Sequence, residues 1–218
     1  MTANDKPVLR VTVFSDYICP FCYLGWLRLE KLRGDYDLRI NWCMTEIHAD
    51  NPPEGCPPTD TGYTPAQWGR MVTDLDVFAA EDGVRFGGLD YTTNSHRALL
   101  LAEAAKEEGS EAFYAVHRRL FEMYLCEGRN LADKQLLREL VGSLGLNPSL
   151  PDRAWNEPRY ERKLQEYALA ARELGVSATP TFFFGPQPLL GLQTLDTLRL
   201  AARASLVAAT TESLDTPP

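Results

Sequence analysis

Residues that alternate between apolar and polar, as in a β-strand, occur first near the start of the chain. Leu9 to Phe14 is an alternating run with β-branched residues, and Leu38 to Met44 alternates again. Between them, apolar residues at helical spacing, such as Tyr23 and Trp26, predict an amphipathic helix that ends at Gly34. The connection is long enough for a parallel crossover, so this part of the chain predicts a strand–helix–strand unit.

The middle of the chain has helical rather than strand periodicity. A loop rich in Pro and Gly, without a periodic pattern, covers Asp50 to Thr64. Thr64 and Pro65 then fit the N-cap and the first residue of a helix that runs toward Glu81. Further helices are predicted over Ser95 to Glu108, Glu111 to Cys126, Asp133 to Leu144 and Arg159 to Leu174.

Strand signals return near the end of the chain. Thr181 to Phe184 is a short apolar run, and a Gly-Pro turn separates it from a second short run, Leu189 to Leu192. An Ala-rich helix follows from Leu195, and Asp215 to Pro218 is predicted to be a frayed tail. A strand–helix–strand unit and a strand–strand–helix unit thus flank an all-helical insertion, which is an α/β organisation.

Composition and charge exclude several classes of protein. Hydrophobic residues make up 44% and charged residues 24% of the 218 residues, as in ordinary globular proteins. Lys and Arg number 22 against 30 Asp and Glu, a net charge of -8 with no basic stripe, so we expect no nucleic-acid partner. Because we find no signal-peptide pattern and no membrane-length apolar run, we expect a cytoplasmic protein that does not enter a membrane.

The candidate chemistry lies in the run Cys19-Pro20-Phe21-Cys22, directly after the first predicted strand. A helix that begins at Pro20 places Cys19 at the N-cap, where backbone N–H groups and the helix dipole favour a thiolate. Only the thiolate attacks a disulfide, so Cys19 fits a nucleophile and should be the more acidic and more exposed thiol. Cys22, one turn further on, fits the less exposed resolving thiol.

Other interpretations of these residues are a zinc site and a pair of inert buried thiols. Half of a zinc ribbon has the same Cys spacing, but no second Cys or His pair follows at ligand spacing, so we expect no metal. Asp16 fits either a buried proton acceptor or a helix-entry carboxylate, and we favour the second. Cys43, Cys56 and Cys126 are expected to be dispensable for exchange, with Cys43 and Cys56 as a weaker alternative pair across the Pro-rich loop. The histidines are expected to be solvated or core-capping residues: His48, His96 and His117.

Several motifs together resemble the DsbA-like family, and within it the FrnE-like branch. They are Val13-Phe14-Ser15-Asp16, then Cys19 to Gly25, Gly175-Val176, Thr179-Pro180 before a Phe-rich strand, and Asn94-Ser95-His96-Arg97-Ala98. The resemblance covers nearly the whole chain. It implies a thioredoxin-like domain over residues 8–48 and 172–212, a helical insertion over 60–171 and a linker loop over 49–59.

The resemblance also implies a thiol–disulfide oxidoreductase, with isomerase or reductase activity included. Cys19 would be the nucleophile, Cys22 the resolving thiol, and Pro180 a cis-proline that faces them. Pro20, Phe21, Thr179 and Pro180 would contact protein or small-molecule disulfide substrates. Phe21 replaces the His of DsbA, which implies a less oxidising pair.

No bound cofactor is expected besides the redox-active disulfide, with glutathione as a possible electron donor or acceptor. The alternative is a glutathione-dependent transferase or a 2-hydroxychromene-2-carboxylate isomerase on the same fold. Those relatives typically carry Ser at the position of Cys19, so the intact cysteine pair argues against them.

Overall fold

The two predicted strands of the first unit form the centre and one edge of a sheet. The computed structural model describes residues 6–87 and 89–214, with side chains described as far as 207. Strand β1 (Val8–Ser15) pairs in parallel with β2 (Asp37–Met44) along its whole length. Helix α1 (Pro20–Glu30) and a short 3-10 helix (Lys31–Gly34) make the crossover between them. The predicted strand–helix–strand unit is confirmed.

The C-terminal unit completes a sheet of four strands. Strand β3 (Thr181–Phe183) pairs antiparallel with β1, and β4 (Pro188–Leu190) pairs antiparallel with β3, which gives the order β2-β1-β3-β4. Helix α8 (Leu195–Leu214) follows. The mixed α/β class is therefore confirmed, while the predicted tail from Asp215 to Pro218 lies outside the described residues.

Helices make up the segment between the two units, as the periodicity predicts. They are α2 (Pro65–Glu81), α3 (His96–Ala105), α4 (Ser110–Leu125), α5 (Lys134–Ser143), α6 (Leu150–Asn156) and α7 (Pro158–Glu173). Thr64 caps α2 through a reciprocal hydrogen-bond pair with Gln67. Within the described part of the chain, no helix is both long enough and apolar enough to cross a membrane.

Some boundaries differ from the predicted ones. Helix α6 is absent from the prediction, because seven residues are too few to show a periodic pattern. The last turn of the helix predicted to reach Glu108 is a separate 3-10 helix, Lys106–Glu108. The Pro-rich loop contains a 3-10 helix, Pro58–Thr61. The domain limits proposed from the resemblance stay a prediction, since one continuous set of buried apolar residues includes both the sheet and the helices.

Helix α2 is joined to the rest of the molecule by a small apolar cluster and a buried ion pair. Its buried residues Leu75 and Ala79 pack with Leu24 of α1, apart from the main core. Beside them, the guanidinium of Arg28 lies 2.6 Å from Asp82, and both side chains are almost fully buried. Lys31 lies 2.7 Å from the other oxygen of Asp82, and Glu81 lies 3.0 Å from Arg28, so four charged side chains form a network that holds the end of α2 against α1.

Candidate active site

Cys19 occupies the N-cap of α1, as the sequence predicts. Strand β1 ends at Ser15, Cys19 has an extended backbone (φ −91°, ψ 111°), and Pro20 is the first helical residue, where its missing N–H costs nothing. The exposed fraction is 6% for Cys19 and 1% for Cys22, so both thiols are buried and Cys19 is the less buried of the two. All five cysteines are free thiols.

The two thiols have opposite acidities. A hydrogen bond from the side chain of Cys22 is the main cause that lowers the pKa of Cys19, and the Thr179 side chain adds to it against the effect of burial. Burial raises the pKa of Cys22 well above its ordinary value. Cys19 makes no N-cap hydrogen bond through its sulfur, so the partner thiol contributes more than the expected capping geometry does. Cys19 is the thiol poised to ionise.

The Thr179–Pro180 segment lies directly against Cys19. The peptide bond between these residues is cis, and the carbonyl oxygen of Thr179 lies 3.5 Å from the sulfur of Cys19. The N–H of Gly191 donates to the carbonyl oxygen of Pro180 at 2.7 Å, which ties this segment to the residue after β4. The structure therefore brings together two motifs that lie 160 positions apart in the sequence, the one that begins at Cys19 and the Thr179–Pro180 motif.

Asp16, in the segment between β1 and α1, is buried, with 1% of its surface exposed. Its carboxylate accepts hydrogen bonds from the N–H of Ile47 at 2.9 Å, the hydroxyl of Ser95 at 3.0 Å and the N–H of Ile18 at 3.3 Å. Burial raises the pKa of Asp16 to about 6, although these hydrogen bonds lower it. The favoured interpretation as a helix-entry carboxylate needs correction, because only the Ile18 contact lies at the helix entry.

An uncharged cleft of about 360 Å³ opens beside Cys19. Its lining includes Phe21 and His48 near the thiols, and Tyr63, Trp68 and Met71 from residues 58–71, which we call the roof. Burial lowers the pKa of His48, so its imidazole is neutral at pH 7. None of the described residues that line the cleft is Lys, Arg, Asp or Glu. The volume suits an apolar side chain or a small ligand.

The remaining cysteines and histidines lie apart from one another. Cys43 is buried in β2, and burial raises its pKa to about 11, which suits a packing residue. His117 is fully buried and bonds the hydroxyl of Tyr17 at 2.8 Å, while His96 is paired with Glu46. In the described part of the chain, His, Cys, Asp and Glu nowhere form a group of three or more able to hold a metal ion.

A thiol pair at the N-terminus of the first helix, beside a cis-proline in a sheet interrupted by helices, defines the thioredoxin-fold class. The chain belongs to the DSBA-like thioredoxin domain family, whose model matches residues 10–203. The family expectation drawn from the motifs is thereby confirmed.

Solved structures with low sequence identity share this fold. The structure described as a probable DsbA oxidoreductase, SCO1869 of Streptomyces coelicolor, has a TM-score of 0.80 at 20% identity, covering 96% of this chain and 92% of its own. A 2-hydroxychromene-2-carboxylate isomerase has a TM-score of 0.70 at 22% identity, and the match covers 95% of this chain and 100% of the isomerase chain. The cytosolic disulfide reductase DsbM of Pseudomonas aeruginosa, solved with GSH, has a TM-score of 0.64 at 19% identity, and the match covers 94% of this chain and 100% of the DsbM chain.

Sequence analysis missed part of the site's surroundings. The roof side chains Tyr63 and Trp68 and the neutral His48 carry no motif and come to Cys19 only through folding. Ser95 belongs to a motif singled out by the resemblance, but its contact with Asp16 spans 79 positions and has no local signal.

Proposed function

We propose that the protein is a thiol–disulfide oxidoreductase that acts on disulfides in apolar protein segments, with Cys19 as nucleophile and Cys22 as resolving thiol. The observation that carries this proposal is the placement of the thiols: Cys19 stands at the N-cap of α1, 3.5 Å from the carbonyl oxygen that precedes the cis-proline, and Cys22 is buried one turn further on. The pKa of Cys19 is lowered chiefly by its hydrogen bond to Cys22, whereas burial raises that of Cys22. A reaction in two displacements needs one thiolate ready to attack and a second thiol held back.

The proposed reaction begins with attack of the Cys19 thiolate on a substrate disulfide. One Cys19–substrate S–S bond forms, the substrate S–S bond breaks, and one substrate sulfur leaves as a thiolate that takes up a proton from water. Cys22 then loses its proton and attacks the Cys19 sulfur. The Cys19–Cys22 disulfide forms, the second substrate thiolate leaves, and the substrate has gained two electrons. The same steps in reverse oxidise a dithiol.

Asp16 is the proposed acceptor of the Cys22 proton. It is ionised at neutral pH because its pKa is about 6, and it is buried in the segment that leads into the thiol motif. Cys22 is also in contact with this segment, since hydrogen bonds from Ser15 and from the backbone of Asp16 act on its thiol. A buried carboxylate with such a pKa is suited to general base catalysis near pH 7.

The cleft supports a protein disulfide rather than glutathione as the preferred substrate. Glutathione carries two carboxylates and one ammonium group, and the described lining of the cleft offers no charged side chain to bind them. The aromatic side chains of the roof instead match an apolar segment, and Thr179 presents its backbone beside Cys19. Pro20, Phe21, Thr179 and Pro180 are the proposed substrate contacts. We propose a cytoplasmic setting, in keeping with the DsbM neighbour.

A glutathione-dependent isomerase or transferase is the second candidate, and the fold shared with 2-hydroxychromene-2-carboxylate isomerase favours it. Two observations on this chain argue against it: the intact Cys19–Cys22 pair and the uncharged cleft. The isomerase candidate predicts turnover of a glutathione-dependent substrate by a Cys22→Ala protein. The oxidoreductase proposal predicts no such turnover by the Cys22→Ala protein.

Trapping of mixed disulfides tests the proposed function. Cys22→Ala protein, incubated with a denatured disulfide-containing protein, should accumulate adducts that dithiothreitol releases, because no resolving thiol remains. Cys19→Ala should accumulate none. Cys126→Ala, which removes a thiol of raised pKa at the end of α4, serves as the matched control and should turn over like the unchanged protein. Equal trapping by the Cys22→Ala and Cys19→Ala proteins would show that this mechanism is wrong.

A further inference from the structure

The Asn94-Ser95-His96 segment holds the residues that follow β2. The Asn94 amide donates to the carbonyl oxygen of Ala49 at 3.1 Å and to the Glu46 carboxylate at 3.4 Å. The His96 imidazole lies 3.0 Å from the other Glu46 oxygen. The start of α3 is thereby bound to the segment that contains Ile47, whose N–H donates to Asp16.

Ser95 itself is used in an unusual way for its position. It is the N-cap of α3, where a Ser hydroxyl ordinarily accepts a hydrogen bond from the first turn of the helix. Here the side chain makes no capping hydrogen bond, and Asn94 accepts from the N–H of His96 instead. The Ser95 hydroxyl, fully buried, donates to Asp16 at 3.0 Å. The Ser95 hydroxyl thus bonds to a residue of the site instead of capping its own helix.

The surroundings of Asp16 leave Ser95 as its only described side-chain donor. The other two donors are backbone N–H groups, and the nearby Glu46 carboxylate opposes ionisation of Asp16. His96 is paired with that carboxylate on one side and with Glu161 on the other. The remaining titratable groups that feel the Asp16 charge are Cys19, Tyr17 and Tyr124.

We propose that Ser95 is a positioning residue for thiol–disulfide exchange, which orients the Asp16 carboxylate and favours its ionised form. The helical segment thereby contributes a residue to the site on the sheet. This inference rests on the proposed function, because it concerns the step in which Asp16 takes the proton of Cys22. Ser95 acts through Asp16 and does not touch the reacting sulfurs.

Two measurements on the same variants test the proposal. The first is the titration of the Asp16 side-chain carbon by NMR in the reduced protein. The second is the pH dependence of release of a fluorescent peptide thiol from its mixed disulfide with Cys19. Ser95→Ala should move both the Asp16 titration and the acidic limb of the rate upward by about one pH unit, because a hydrogen bond to the ionised form is lost. Release near that limb should slow by roughly tenfold.

Three further variants control this experiment. Ser95→Thr keeps the hydroxyl and should restore both curves. Ser149→Ala removes another N-cap Ser without a capping side-chain bond, at α6, and should change neither. If the Ala variant does not fold, Ser95→Cys, with a weaker donor of similar size, should give the same direction with a smaller shift.

The possible results separate the two proposals. If the release proceeds and neither curve moves in Ser95→Ala, Ser95 has only a structural role and the inference is wrong. A shifted Asp16 titration with an unmoved rate limb also overturns it, since Asp16 would then take no part in the release. If the unchanged protein releases no thiol at any pH, the proposed function fails, and the NMR titration still shows whether Ser95 controls the ionisation of Asp16.

Discussion

Gly25 lies where the thiol helix packs tightly against the proline segment. A Cβ atom at this position would lie 2.9 Å from the ring of Phe182 and 3.0 Å from the ring of Pro180. Phe182 is fully buried in β3, so its ring has no free space into which to move. Gly25→Ala therefore forces α1 and the Thr179–Pro180 segment apart at the point where the site is assembled.

The expected free-energy change is the difference between two effects. Overpacking of a core by one methyl group costs about 1–3 kcal/mol. Replacement of Gly by Ala inside a helix returns about 0.5–1 kcal/mol. The overpacking is the larger effect here because both contacts are at or below 3.0 Å. The net loss should be about 1–2 kcal/mol, which lowers the melting temperature of a domain of this size by roughly 2–8 °C.

Gly69→Ala is the matched control. Gly69 is exposed inside α2, and a Cβ there would meet nothing within 4 Å. This variant should gain about 0.5–1 kcal/mol from helix propensity alone. Urea unfolding of both variants, with a thiol-exchange rate measured alongside, compares them directly. Exchange should slow only in Gly25→Ala, and a Gly25→Ala protein as stable as Gly69→Ala would refute the packing argument.

Three other changes have defined outcomes. Iodoacetamide at mildly acidic pH should label Cys19 before any other cysteine in peptide mapping, since its pKa is lowered chiefly by its hydrogen bond to Cys22. The free energy of unfolding of Asp16→Asn, taken relative to that of the unchanged protein, should rise by about 3 kcal/mol as the pH increases from about 3 to about 8. The folded-state pKa of about 6 lies above the ordinary 3.8, so stability is lost as pH rises through 6. Arg28→Met should cost roughly 1–3 kcal/mol in urea unfolding, because the buried Asp82 then keeps only Lys31 as its partner, whereas Arg138→Met, at an exposed pair, should cost clearly less.

Local signals predicted the thiol motif well. The end of a β-branched run, a Pro at the first helical position and the Cys spacing all lie within a few residues, so the N-cap placement of Cys19 follows from the sequence. The approach of Thr179 spans 160 positions, and only the resemblance to a family indicated it. The roof side chains and the donors to Asp16 also depend on tertiary packing, which periodicity does not report.

The same distinction holds for the helices. Long helices such as α4 and α7 show several turns of apolar spacing and were predicted within about two residues. Helix α6 has no comparable pattern, and its position is set by contacts with α3. Asp16 was misjudged because burial of a carboxylate depends on groups from distant parts of the chain, here Ile47 and Ser95.

The sparse apolar packing of α2 has a consequence for substrate size. Only Leu75 and Ala79 of this helix are buried, and they pack in a cluster of their own with Leu24, against which Phe21 of the thiol motif also lies. A segment with so few buried contacts opens at a lower free energy than global unfolding requires. We therefore expect the backbone amides in the first turns of α2 to exchange with solvent faster than those of β1, while the ion pair between Arg28 and Asp82 holds the other end of the helix. Local opening of α2 would let a substrate segment that is too large for the closed cleft reach Cys19. Strands β1 and β3 and the two thiols would keep their arrangement during this opening.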